Sequence, residues 1–174
     1  MAVREILQLG DPMLRATCER VMSFQTDELH ALTDDLRDTL YDFRSRSGFG
    51  RGIAAPQLGV TQRVILVHID HPIVLVNPKI VKRSRGQMTL WDDCFSFPDL
   101  LIKVRRNLVI EVRYQDDMGH HHTLKAEGAL SELLQHEIDH ITGVLAIDRA
   151  IDSKHIVYRS VHMKSTKEQE GVLL

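Results

Sequence analysis

The chain has 174 residues, 43% hydrophobic and 26% charged, the size and balance of one globular domain whose core needs no disulfide staples. Lysine and arginine number 22 against 24 acidic residues, a net charge of −2, which excludes the bulk basic excess that drives nucleic-acid or membrane-surface binding. No apolar run approaches the ~20 residues of a membrane span, and Met1 to Asp11 lacks the basic and then apolar layout of a secretory signal, so a reducing cytoplasm is the expected compartment.

No internal repeat or linker-like stretch divides the chain, and residues 1–174 read as a single domain. From Thr26 to Arg46 the apolar residues Leu29, Leu32, Leu36, Leu40 and Phe43 recur at three and four, with Thr26 as a cap and Gly48 as a stop. This spacing predicts an amphipathic helix. The glycines of Gly48 to Gly52 then predict an irregular loop, followed by Ile53-Ala54-Ala55-Pro56-Gln57-Leu58-Gly59. Seven short runs rich in Val and Ile come next: Arg63–Ile69, Ile73–Val76, Lys79–Lys82, Gln87–Trp91, Leu100–Val104, Asn107–Tyr114 and His121–Ala126. They read as an antiparallel meander. A second helix is predicted over Gly128–Thr142, with Leu130, Leu133, Leu134, Ile138 and Ile141 as its buried stripe and Gly143 as its stop. A third is predicted over about Asp152–His162. Strand runs bracketed by helices imply an α+β fold rather than a doubly wound parallel sheet.

That second helix carries the chemistry. Within Gln135-His136-Glu137-Ile138-Asp139-His140, two histidines four apart share one helical face, so both imidazoles can bind one metal ion while Glu137 reaches a water. A merely solvated face is the bland alternative. A metzincin-type protease would place a third His at residue 146, which is alanine here. Downstream, His155, Asp148 and Asp152 remain as substitutes without a spacing rule. Upstream, Cys94 at a strand end is the stronger candidate, because a thiolate suits Zn²⁺ or Fe²⁺ and three protein ligands leave one position open.

Three motifs together resemble the peptide deformylases: Gly50-Arg51-Gly52-Ile53-Ala54-Ala55-Pro56-Gln57, Cys94-Phe95-Ser96-Phe97-Pro98 and Gln135-His136-Glu137-Ile138-Asp139-His140, in that order. The resemblance spans essentially the whole chain and implies antiparallel strands packed around a central metal-binding helix. It implies one divalent metal held by Cys94, His136 and His140, with Fe²⁺ expected and Zn²⁺ or Ni²⁺ able to occupy the site. It also implies hydrolysis of an N-formyl group from a formyl-methionyl peptide or a related small formylated amine. Glu137 is then the proton carrier, while the Gln57 side-chain amide and the backbone N–H of Phe95 steady the oxyanion. Residue 95 is Leu in the family, but a backbone group acts there. No nucleic-acid or membrane partner is expected, and the assembly is expected to be a monomer or weak oligomer. Two rival readings are a metal-binding deformylase-like module without turnover and a zincin-type metallopeptidase.

Several residues depart from the family pattern. The family's second motif begins Glu-Gly where this chain has Asp92-Asp93; Asp92 keeps the carboxylate, and Arg106 matches an arginine that pairs with it. Among the residues expected to meet substrate (Gly50, Arg51, Gly52, Asp93 and Glu132), three are charged where the family has an apolar residue, a glycine and an aliphatic residue. Arg51, Asp93 and Glu132 either pair among themselves, read a polar substrate or point to solvent, and a substrate other than formyl-methionyl peptides becomes an expectation. Three other features read as structural. His120-His121-His122 belongs to a solvated hairpin, His68-Ile69-Asp70 is a weak iron-site pattern, and Cys18 is packing.

Overall fold

A computed structural model describes residues 2–164. The first helix, α1 (Asp27–Ser47), begins where expected: Thr26 Oγ1 accepts from the Leu29 amide at 3.2 Å, and Asp27 and Glu28 complement the dipole of the first turn. Gly48, at φ 77°, ends it. Its stripe of Leu29, Leu32, Leu36, Leu40 and Phe43 is buried against Ile53, Leu58, Val64 and Leu66.

The strands are β1 (Gly52–Ala54), β2 (Val64–His68), β3 (Pro72–Arg83), β4 (Gln87–Asp92), β5 (Leu100–Asn107), β6 (Val109–Gln115), β7 (His121–Glu127) and β8 (Ile156–Tyr158). The second helix, α2 (Ala129–His140), lies between β7 and β8 in the chain. All strand pairs are antiparallel, giving the expected α+β class, but they form two sheets rather than one meander. The larger has the order β1-β2-β3-β6-β7 and the smaller β4-β5-β8. The chain leaves the first sheet after β3, makes the β4-β5 hairpin, and returns with β6 against β3.

Two segments differ from the sequence reading. Ile73–Val76 and Lys79–Lys82 are one strand, β3, interrupted by a register shift after Val76. Asn77 sits at that shift with φ 53° and uses its side chain as a backbone substitute, accepting from the Val21 amide and donating to the Val21 carbonyl, each at 2.9 Å. The predicted helix over Asp152–His162 is instead a 3₁₀ turn at Ser153–His155 followed by β8, and helical backbone starts only at 159. Ile156 and Val157 pair with Ile102 and Leu101 of β5, so an edge of the smaller sheet overrides a weak local preference.

Helix α2 sits between the sheets and sets the site. Leu133, Leu134 and Ile138 are buried with Ile65, Val67, Ile110 and Val112 of the larger sheet. A separate cluster of Leu14, Cys94, Phe97, Ile102, Val104 and Leu145 anchors the smaller sheet and the turn after β4. The histidine-bearing face of α2 is thereby turned toward β4, β5 and Cys94. No helix among the described residues is long and apolar enough to cross a membrane.

Candidate metal centre

Cys94 comes from the turn after β4, and His136 and His140 from α2, separated by one helical turn. All three are buried, with their ligand atoms within 4.8 Å of one another. Cys94 Sγ lies 3.3 Å from His140 Nε2, and the two histidine Nε2 atoms are 3.2 Å apart. Three such atoms converging in a buried site repel one another unless they share a proton or a cation. Metal bonds of about 2.0–2.3 Å at tetrahedral angles place such donors roughly 3.3–3.7 Å apart, so this donor set fits a divalent ion. Among the described residues no other group of His, Cys, Asp and Glu converges in this way. Asp148 is engaged by Arg15 and His155 by Asp152, each outside the cluster.

Asp92 fixes one ligand from behind. It accepts from His136 Nδ1 at 3.0 Å, which turns Nε2 of that ring toward the centre, and from Arg106 Nη2 at 3.1 Å. The anticipated Asp92–Arg106 pair is present and almost fully buried. Arg106 also binds Asp139, which Arg149 holds at 2.8 Å, so the chain of charges runs from His136 to the surface. Burial alone would raise the Asp92 carboxyl, but His136 and Arg106 bring it down to about 2. For His136 burial works against the proton, yet Asp92 and Cys94 raise it well above its ordinary value. Burial, with His136 beside it, pushes His140 well below. One imidazole is thus held by an anion and the other is kept neutral.

Glu137 is 3% exposed, and its Oε2 has no hydrogen-bond partner. Burial raises its carboxyl to about 7, with Asp92 and Glu132 adding to the effect. Its room comes from Gly52, where a β-carbon would stand 2.4 Å from Glu137 Oε1. Gly50 plays the same part toward Phe95, whose ring a β-carbon would meet at 2.4 Å, and that ring stacks on Phe43 with centroids 3.9 Å apart. The Gln57 side chain is oriented by its own loop: Oε1 accepts from the Ala54 amide at 2.9 Å, turning Nε2 toward Cys94 Sγ at 3.6 Å and Ser96 Oγ at 3.2 Å. A cavity at the centre is lined by Gly52, Gln57, Cys94, Phe95, His136 and Glu137.

The three unusual charges divide. Arg51 Nη2 pairs with Glu132 Oε1, while Asp93 is bound by Arg159 Nη2 at 2.9 Å. Arg159 was not singled out by the sequence reading. It also donates to the Pro98 carbonyl at 2.9 Å and lies 4.0 Å over the Phe49 ring, joining the turn after β4 to the glycine loop. No local signal marks it, since 66 residues separate it from Asp93. Asp139 lay inside the third motif, and its place on the face of His136 was the available clue. Of the other flagged residues, Cys18 is buried and unpaired by any disulfide, and His120 to His122 are exposed on the β6-β7 hairpin.

Comparison with known proteins supports this reading. Residues 3–155 match the family described as Polypeptide deformylase. A peptide deformylase of Picosynechococcus sp. is 35% identical, covering 98% of this chain and 87% of its own, and that of Rhizorhabdus wittichii is 37% identical, covering 85% and 86%. Among solved structures, a peptide deformylase from Legionella pneumophila superposes with a TM-score of 0.81 at 34% identity, over 99% of this chain and 98% of its own. One from Synechococcus elongatus in complex with actinonin gives 0.81 at 33%, over 87% and 81%.

Proposed function

The chain belongs to the peptide deformylase family, and we propose that Cys94, His136 and His140 hold its metal, Fe²⁺ by preference, while Glu137, Gln57 and the Phe95 N–H carry the reaction. It is a metal-dependent hydrolase that removes N-formyl groups from peptides. The assignment of roles rests foremost on one observation: a buried carboxylate with an unpartnered oxygen stands beside three converging metal-binding atoms.

A bound divalent ion supplies Lewis acidity and eases ionisation of a water. Glu137 takes the proton of the attacking water and returns it to the amine nitrogen as the C–N bond breaks, leaving formate and a free amine. Its desolvated carboxyl suits both halves of that transfer. Gln57 Nε2 and the Phe95 amide donate to the oxygen on which charge develops. The fixed Gln57 rotamer means that little reorganisation accompanies the step. Asp92 keeps His136 in the ligating tautomer, and Arg106 keeps Asp92 ionised.

Neither rival has comparable support. Glu137 and Gln57 are both retained, against a module without turnover, and residue 146 is a buried alanine in a 3₁₀ turn, against a zincin with a third histidine. We further propose a cytoplasmic single-domain monomer or weak oligomer. Formate release from a formyl-methionyl peptide and from other formylated amines, by protein loaded with Fe²⁺ without oxygen, tests the reading. Formate that appears only in metal-loaded samples is expected. Peptide-bond cleavage without formate would replace this reading with the peptidase.

A further inference from the structure

The cavity at the metal-binding atoms is small, about 20 Å³, enough for a water or a formyl group. Gly50, Arg51, Asp92, Asp93 and Glu132 line both it and an adjoining cavity of about 330 Å³, which also reaches Phe49 and Trp91. Whatever is bonded to the formyl nitrogen therefore extends past Arg51 and Glu132.

The carboxylates along this path are not equivalent. Asp92 is held by His136 and Arg106, and Asp93 by Arg159. Glu137 keeps a free oxygen for the proton transfer. Glu132, with a side chain only 7% exposed, is bound by Arg51 through Oε1, and its Oε2 accepts no hydrogen bond among the described residues. That oxygen keeps contact with solvent where it faces the cavity, so a side chain that displaces the water there must supply a donor in its place. An apolar side chain laid against the pair would strip water from both charges and replace none of its hydrogen bonds.

We infer that this enzyme selects formylated amines whose first side chain carries a hydrogen-bond donor, accepted by Glu132 Oε2 while Arg51 holds the carboxylate in place. The inference rests on the deformylase reading, since it names the substrate class of the same site. Glutamine and methionine provide the test because their side chains have similar reach and only one carries a donor, while glutamate has the reach without the donor. Two quantities are measured for native protein and for the R51L/E132L variant: kcat/KM for formyl-Gln-Ala, formyl-Met-Ala and formyl-Glu-Ala, and calorimetric affinity for the three dipeptides lacking the formyl group. Native protein is expected to favour glutamine over methionine at least tenfold by both measures, with glutamate last, and the double variant to reverse the first order. Equal or better use of methionine by native protein overturns the inference and needs no variant to fold. If no substrate yields formate, the deformylase reading fails, and the dipeptide affinities still decide the donor preference.

Discussion

Gly52 lies so close to Glu137 that a β-carbon on it would stand 2.4 Å from Oε1 and 2.9 Å from both Cγ and Cδ. Strand β1, which starts at Gly52, is therefore the wall against which the Glu137 carboxylate rests. Gly52→Ala is predicted to displace the Glu137 carboxylate and lower kcat about a hundredfold or more, at the lower end of what a misplaced acid–base group costs. Metal content, read by elemental analysis, should be unchanged. Loss of metal in parallel with activity would show that Gly52 serves the ligands instead.

Asp92 is predicted to support metal affinity without touching the ion. Asp92→Asn removes the charge that holds His136 and leaves the buried Arg106 with Asp139 alone. Metal affinity should fall about 10- to 100-fold, and stability should fall as well because a buried cation loses a partner. Competition with a chelator measures the first and denaturant unfolding the second. An unchanged metal affinity would remove Asp92 from the support of His136.

The raised Glu137 carboxyl makes a linkage prediction for metal-free protein. Its folded pKa of about 7 lies above its ordinary value of 4.5, so the stability it contributes is fully present below pH 4.5 and is lost as pH rises through 7. The shift corresponds to roughly 3 kcal/mol. Native protein should lose that much relative to Glu137→Gln between pH 4.5 and 7.5, measured by urea unfolding at each pH. A constant difference between the two proteins would mean that Glu137 is not desolvated.

The two thiols should behave differently. Burial pushes Cys18 up to about 11, against the lowering influence of Arg63, so it is protonated at pH 8 and inert in the folded protein. Metal-loaded native protein should show essentially no rapidly titrating thiol. Removing the metal should expose Cys94 to modification, with mass spectrometry assigning the site. Rapid labelling of Cys18 in folded protein would contradict its burial.

Legibility in the sequence followed the range of the interaction. Helix α1 and the His136–His140 pair were readable because their geometry is set by neighbours three and four residues away. Val76 and Lys79 read as ends of separate strands because the bulge at Asn77 is stabilised from Val21, 56 residues distant. The division into two sheets was hidden for the same reason: the edge that captures Ile156 belongs to β5. At the site, the motifs picked out the three converging residues Cys94, His136 and His140 and Gln57 beside them, whereas the destinations of Arg51 and Asp93 depended on partners 81 and 66 residues away. Sequence alone allowed those charges to pair with each other; only Arg51 and Glu132 do.

Formate release by metal-loaded Glu137→Ala is the most direct test of the account. The variant should bind as much metal as native protein, since Glu137 lies outside the Cys94-His136-His140 cluster, while formate release falls about a thousandfold. Native-like turnover with full metal content would contradict Glu137 as the proton carrier.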